Sequence, residues 1–169
     1  RRKGTAFADS KQRKKARAKL LSKKWEELKA LSLRKKKEEI ARLEKIVFAE
    51  HPRNEKHLQE RIKSLYELNL LNSQEAQETA IQVLINFTII TRLPQQEYFE
   101  YVFSNRRLAK GACDFLKQNH NARIITNLRQ ILSRIPETDL TKPVREEIYG
   151  VMKAIFSESR EAAAETQAE

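Results

Sequence analysis

Net charge divides this chain unevenly, and the division limits which part of it can fold around a core. Residues 1–50 hold eighteen Lys and Arg against seven Asp and Glu, whereas the whole 169-residue chain has a net charge of +11. The first fifty residues therefore carry the entire excess, and residues 51–169 are neutral overall. Because self-repulsion opposes compaction, we predict a basic N-terminal extension attached to a neutral folded body.

The composition favours helices throughout. The chain contains only three Gly and four Pro, too few for a fold with many tight turns, and it is rich in Leu, Glu, Lys, Arg and Ala. Its single cysteine excludes an internal disulfide and fits a reducing compartment. No apolar run approaches the ~18 residues of a membrane span, and no signal peptide is visible.

The basic extension changes character along its length. Residues 11–19 have two alanines as their only apolar side chains, so this stretch has nothing to bury. From Leu20 onward, apolar residues recur at spacings of three and four, which is typical of one helix face. Because His51-Pro52 disfavours helical geometry, the pattern predicts one long helix over residues 10–50, either straight or bent near Ser32.

Six further helices are predicted in the body. Asn72 with Glu75 three residues later is typical of a helix cap, and Leu93-Pro94 closes the helix that follows. That helix is apolar nearly all round in its second half, which indicates a central position. The predicted boundaries are 54–71, 73–92, 95–103, 106–118, 122–135 and a last helix that opens at Pro143.

The sequence therefore predicts an all-α protein with three parts. Residues 1–50 form a long basic helix, residues 51–157 form a helical bundle or a short armadillo-like solenoid, and residues 158–169 form a flexible tail.

Signals for catalysis are weak. The three histidines lie at turns or on polar faces and are predicted to be ordinary surface residues rather than metal ligands. Cys113 has no base nearby in sequence and is predicted to be a small buried side chain. There is no Gly-rich phosphate loop. We therefore expect a non-enzymatic protein with no metal, no cofactor and no small-molecule substrate.

The basic residues are the strongest functional signal. Successive cations along a helix can neutralise several phosphates of DNA or RNA, without reading base sequence. A nuclear import signal, a plain solvated helix, or binding to an acidic protein or a membrane surface are the alternatives. The candidate phosphate contacts are Lys11, Arg13, Lys14, Lys15, Arg17, Lys19, Lys23, Lys24, Arg34, Lys35, Lys36 and Lys37.

Apolar and aromatic residues are the candidates for protein contacts. The long helix has an apolar stripe, and two tyrosines lie three residues apart, on a different face from Phe99 and Phe103. The candidate partner-binding residues are Leu21, Trp25, Leu28, Ile40, Leu43, Val47, Tyr98 and Tyr101. The neighbouring Phe99 and Phe103 have the spacing of core residues.

Residues 93–135 resemble the TFIIS N-terminal domain family, which includes the integrase-binding domain of lens-epithelium-derived growth factor. Leu93-Pro94 is similar to the end of that family's Leu-rich helix, and residues 107–115 are similar to its Arg-Ile-Gly-Lys segment, with Ala109 in place of the usual Gly. No Trp follows the final helix. The residues that resemble the family's last amphipathic helix are Ile125, Leu128, Ile131 and Leu132.

The resemblance implies a nuclear scaffold whose inter-helix loops dock short disordered peptides, here residues 93–96 and 118–121. The leading functional hypothesis is a nuclear binding module, related to transcription or chromatin, that contacts nucleic acid and at least one protein and no membrane. One alternative is a structural subunit that uses its long helix to pack on partners. Another is an RNA-binding, ribosome-associated protein, nucleolar or mitochondrial.

Overall fold

In a computed structural model, the protein is all-α: the described residues form seven helices and no strand. The structure describes residues 5–49, 55–91 and 95–168, with side chains for 11–49, 55–91 and 105–167. The helices are α1 (Thr5–Lys29), α2 (Leu33–Val47), α3 (Glu55–Leu71), α4 (Ser73–Ile90), α5 (Gln95–Gln118), α6 (Ile124–Arg134) and α7 (Lys142–Ala168).

The chain separates into two compact units, residues 1–41 and residues 42–169. The domain boundaries predicted at residues 50 and 157 stay predictions.

The basic extension is not one continuous helix: it is interrupted near Ser32, at the place where a bend was the predicted alternative. Helix α1 ends at Lys29, and α2 begins at Leu33. The backbone N–H of Leu31 bonds the carbonyl of Leu28 at 3.2 Å, a tight closing turn. Ser32 then caps α2, because its carbonyl accepts from the N–H of Lys36 at 2.9 Å. A serine in this position offers the backbone an alternative to a continuous helix.

Helices α3 to α7, with the second half of α2, build one core. Helix α4 packs against α3, α5 and α6, and α5 packs against α3, α4 and α7. The prediction of a central helix, placed at residues 73–92, is confirmed, since α4 buries eight of its side chains. The largest fully buried side chains are Phe87, Phe115, Leu43, Leu68, Leu84, Leu116, Leu128, Ile148, Val47, Val144 and Val151.

Capping chemistry sets several helix ends of the body. The predicted cap at Asn72 is confirmed, because its side-chain oxygen accepts from the N–H of Glu75 at 3.2 Å. At the end of α6, the Arg145 guanidinium donates to the carbonyls of Leu132 and Ile135, both at 2.8 Å. These carbonyls have no partner within the helix, so α7 satisfies the C-terminus of α6.

Residues 95–118 form one helix, whereas two were predicted with a cap at Ser104 or Asn105. The chain has no Pro or Gly at this point, and a polar residue inside a helix costs only a few tenths of a kcal/mol relative to Ala. The predicted closure at Leu93-Pro94 and the one at His51-Pro52 lie outside the described residues.

Gly111 allows α5 to approach α3 closely. A Cβ atom at this position would lie 2.8 Å from Cδ1 and 2.9 Å from Cγ1 of Ile62, which is closer than van der Waals contact. Gly150, on α7, differs because an added Cβ would meet only the flexible end of Lys117, at 3.0 Å.

The two glycines therefore make a matched pair for a stability test. Gly150→Ala is expected to stabilise the protein by up to ~1 kcal/mol, because alanine is the better helix former. Gly111→Ala gains the same helix propensity but overpacks the α3–α5 contact, at a cost of about 1–3 kcal/mol. Urea unfolding of both variants is the measurement. Equal urea midpoints for the two variants would contradict the close approach of α5 to α3 at Gly111.

Candidate nucleic-acid interface

The cations of α1 lie on an exposed helix. Every residue from Lys11 to Lys23 is exposed, and Lys24 is half-buried. Within the described side chains, none of the eight candidate cations of α1 forms an ion pair with a carboxylate. The structure therefore leaves the charge of α1 un-neutralised and open to solvent.

The cations of α2 are less uniform. Arg34 pairs with Glu38, its Nε atom 3.3 Å from the carboxylate, and both side chains are largely exposed. Lys35 and Lys37 are exposed, while Lys36 is half-buried. A surface pair of this kind contributes little to stability, so Arg34 can exchange its partner for a phosphate at low cost.

The predicted apolar stripe divides into exposed and buried residues. Leu21 and Trp25 are each 38 % exposed, and the ammonium of Lys29 lies 3.0 Å from the centroid of the Trp25 ring. This cation–π contact covers part of the indole. Ile40 is half-buried.

Three residues of the stripe are buried. Leu28 is 5 % exposed, and Leu43 and Val47 are each 1 % exposed. A buried side chain has no surface left for a partner, so their assignment as partner contacts does not fit this structure. The spacing of a helix face predicts burial but does not tell whether the chain itself or a partner supplies it.

The predicted aromatic pair and docking loops are only partly described. Tyr98 and Tyr101 lie in α5, but their side chains are outside the described set, as are residues 92–94. In the second loop, the His120 ring lies against the end of α5, with Nδ1 3.0 Å from the carbonyls of Leu116 and Lys117.

The expectation of a surface histidine was therefore wrong for His120. Its side chain is only 5 % exposed. Nε2 lies 2.8 Å from a carboxylate oxygen of Glu158, without the alignment of a hydrogen bond. The ring thus packs between the end of α5 and α7, and the turn chemistry of the sequence gave no sign of this.

A polar groove of about 380 Å³ lies between the start of α4 and the start of α6, and sequence patterns did not indicate it. Its lining includes the half-buried Gln77 and the exposed Arg123 and Asn127, beside the buried Ile81 and Ile124. Such a mixture of carboxamides and apolar side chains suits the main chain of a peptide.

The described part of the chain offers little to a metal or to acid–base chemistry. Its side chains form no group of three His, Cys, Asp or Glu that could hold a metal ion. Two carboxyls are perturbed: partial burial, and then a hydrogen bond with Glu75, raise the pKa of Glu44, whereas a hydrogen bond from Arg107 lowers the pKa of Glu55. The two acids, Glu44 and Glu75, join α2 to the start of α4.

Comparisons with known proteins give no relatives: no protein family, curated protein or solved structure matches the chain. Among the described helices, none is long and apolar enough to span a membrane.

Cys113 provides a test of the buried core. The residue is buried, as predicted, and burial raises the pKa of its thiol to about 12, with a further contribution from Glu147. The thiolate is the reactive form, so the folded protein is expected to resist a thiol reagent at pH 8 and to react only on unfolding.

The same shift predicts a pH dependence of stability. A pKa raised in the folded state means that the folded protein holds its proton where the unfolded chain loses it. The contribution of Cys113 is therefore complete below pH ~8.5 and falls as the pH rises toward 12. Cys113→Ala is expected to remove this part of the dependence of the unfolding free energy on pH. Rapid reaction of the folded protein with the thiol reagent at pH 8 would contradict the burial of Cys113 and the raised pKa of its thiol.

Proposed function

We propose that this protein is a non-enzymatic nuclear binding module. The basic helix α1 contacts nucleic-acid phosphates, and the helical body binds a protein partner in a transcription or chromatin setting. The observation that carries the proposal is the set of eight cations on α1, seven exposed and Lys24 half-buried, which have no carboxylate partner among the described side chains.

The physical argument for nucleic acid is the density of charge. The eight cations from Lys11 to Lys24 are spread over a length of ~20 Å along the helix axis. Duplex DNA carries one negative charge per ~1.7 Å of its axis, so it is a ligand with a comparable density of the opposite sign. Binding releases condensed counterions, which supplies free energy at low salt.

Two features of the body support a role in protein binding. The first is the groove between α4 and α6, which offers carboxamides beside an apolar floor. The second is the pair Tyr149 and Phe156 on α7, which are 52 % and 41 % exposed and lie on one helix face, seven residues apart. The resemblance of residues 93–135 to the TFIIS N-terminal domain family points in the same direction.

A structural role in a larger assembly is the second candidate. Leu20, Leu21, Trp25 and Leu33 are exposed apolar side chains within a short stretch of α1 and α2. In an assembly these residues would pack on another subunit, and the protein would associate with rising concentration in the absence of nucleic acid. Sedimentation over a concentration series separates this role from the proposed one. An RNA-binding role, nucleolar or mitochondrial, is separated by competition between RNA and DNA.

The charge of α1 is tested by neutralising four of its lysines. The variant with Lys11, Lys15, Lys19 and Lys23 changed to Gln is expected to bind a DNA duplex more weakly, because fewer counterions are released. The slope of log K against log[salt] should become less steep by up to about 4, close to one for each lost phosphate contact. Fluorescence anisotropy over a salt series is the measurement.

A control variant removes the same charge from the body. Lys110, Arg129, Lys153 and Arg160 are exposed residues of the second unit, and changing them to Gln also lowers the net charge by four. The control is expected to keep most of the slope. If both variants lose affinity equally, only net charge matters, and the assignment of α1 as the interface fails.

A further inference from the structure

Seven of the eight candidate cations of α1 form two rows along the helix, and the eighth, Lys14, lies on the side that carries Leu21 and Trp25. Lys11, Lys15, Lys19 and Lys23 are four residues apart and make the first row, in which each lysine lies ~6 Å further along the axis than the one before. The second row consists of Arg13, Arg17 and Lys24. At ~100° per residue, the two rows are separated by about 160° around the helix.

The face between the two rows is weakly polar. It carries Ala16 and Leu20, both exposed, and Leu20 keeps 68 % of its surface in contact with solvent. The opposite side of α1 carries Leu21, Trp25 and the buried Leu28. The back of the helix therefore carries these apolar side chains together with the exposed Lys14, and the front carries an exposed leucine between two lines of positive charge.

This arrangement fits a ligand with two phosphate backbones on either side of a cleft. The major groove of B-form DNA is ~12 Å wide, and a helix with its side chains is ~10–12 Å across. In that groove, the two rows would each reach one wall, and Leu20 would face the base edges. Apolar side chains contact the thymine methyl group there.

Other nucleic acids match the arrangement less well. A single strand has one phosphate backbone and would engage one row. The major groove of duplex RNA is deep and narrow, so a helix cannot enter it. The two opposed rows thus select a B-form duplex over both.

We propose that α1 binds duplex DNA in the major groove, with one cation row on each phosphate wall and Ala16 and Leu20 toward the bases. The proposal rests on the proposed function, in which α1 contacts nucleic acid, and it names the kind of nucleic acid and the groove. The helix covers ~6 base pairs, since the stretch from Lys11 to Lys24 is ~20 Å long and each base pair rises 3.4 Å.

The first arm of the test compares ligands with the full chain. A DNA duplex of about 18 base pairs, three times the expected site, is compared with an RNA duplex and a single DNA strand of the same sequence. We expect the DNA duplex to bind at least about tenfold more tightly than either. We also expect bound protein to protect guanine N7, which lies in the major groove, from methylation by dimethyl sulfate.

The second arm compares the two rows. Lys11, Lys15 and Lys19 changed together to Gln, and Arg13, Arg17 and Lys24 changed together to Gln, each remove three charges. Both triple variants should make the salt slope less steep by up to about 3, because each row faces its own backbone. If only one of the two triple variants has a less steep salt slope, α1 contacts a single phosphate backbone, and the proposal is overturned.

The third arm uses adjacent leucines as a matched pair. Leu20→Glu places a negative charge toward the DNA and should weaken binding by about tenfold or more, whereas Leu21→Glu places it on the back of α1 and should weaken binding less. Circular dichroism verifies that both variants stay helical. If Leu20→Glu does not, the two row variants still decide the question.

The outcomes distinguish the two levels of the hypothesis. Cation-dependent binding with equal or higher affinity for RNA or a single strand, or without protection of N7, retains the proposed function and overturns the major-groove proposal. Binding to no nucleic acid, or binding unaffected by either row variant, overturns both.

Discussion

Burial of apolar side chains between α4 and its neighbours is the interaction on which the folded body depends. Leu84, Phe87, Phe115 and Leu116 are each at most 1 % exposed, and they come from the two helices that touch most of the others. Burying one such side chain contributes roughly 1.5–3 kcal/mol. Gly111 belongs to the same constraint, because the missing Cβ brings α3 close enough to complete the core.

A core of this kind has little room for charge, and the charge distribution of the chain follows from that. The desolvation of a cation is costly, so most of the described cations of the body are paired or exposed. Lys117, for example, pairs with Glu147, and that hydrogen bond raises the pKa of the ammonium group. Arg61 differs, because it is only 6 % exposed and its burial lowers the pKa of the guanidinium. The extension has no comparable core along residues 11–19, and its cations stay exposed.

Local sequence signals predicted the helical fold and the Asn72 cap because they depend on neighbours within one or two turns. The break near Ser32 and the unbroken α5 depend on small differences in free energy between a capped helix end and a continued helix. A sequence pattern does not resolve such differences. The burial of Leu43, Val47 and His120 depends on contacts distant in sequence. The basic residues of the candidate interface were found because charge needs no tertiary context, whereas the α4–α6 groove exists only after folding.

The charge on which the proposed interface rests also weakens α1 as an isolated helix. Lys11, Lys15, Lys19 and Lys23 are like charges at i, i+4, and each such pair costs roughly 0.2–0.5 kcal/mol of helix stability. Arg13 and Arg17 add a further pair. With no apolar stripe to offset this repulsion before Leu20, the outer half of α1 gains helicity when an anion neutralises it. If α1 binds nucleic acid as proposed, binding and helix formation in this segment are expected to be thermodynamically coupled, with part of the binding free energy used to order the helix.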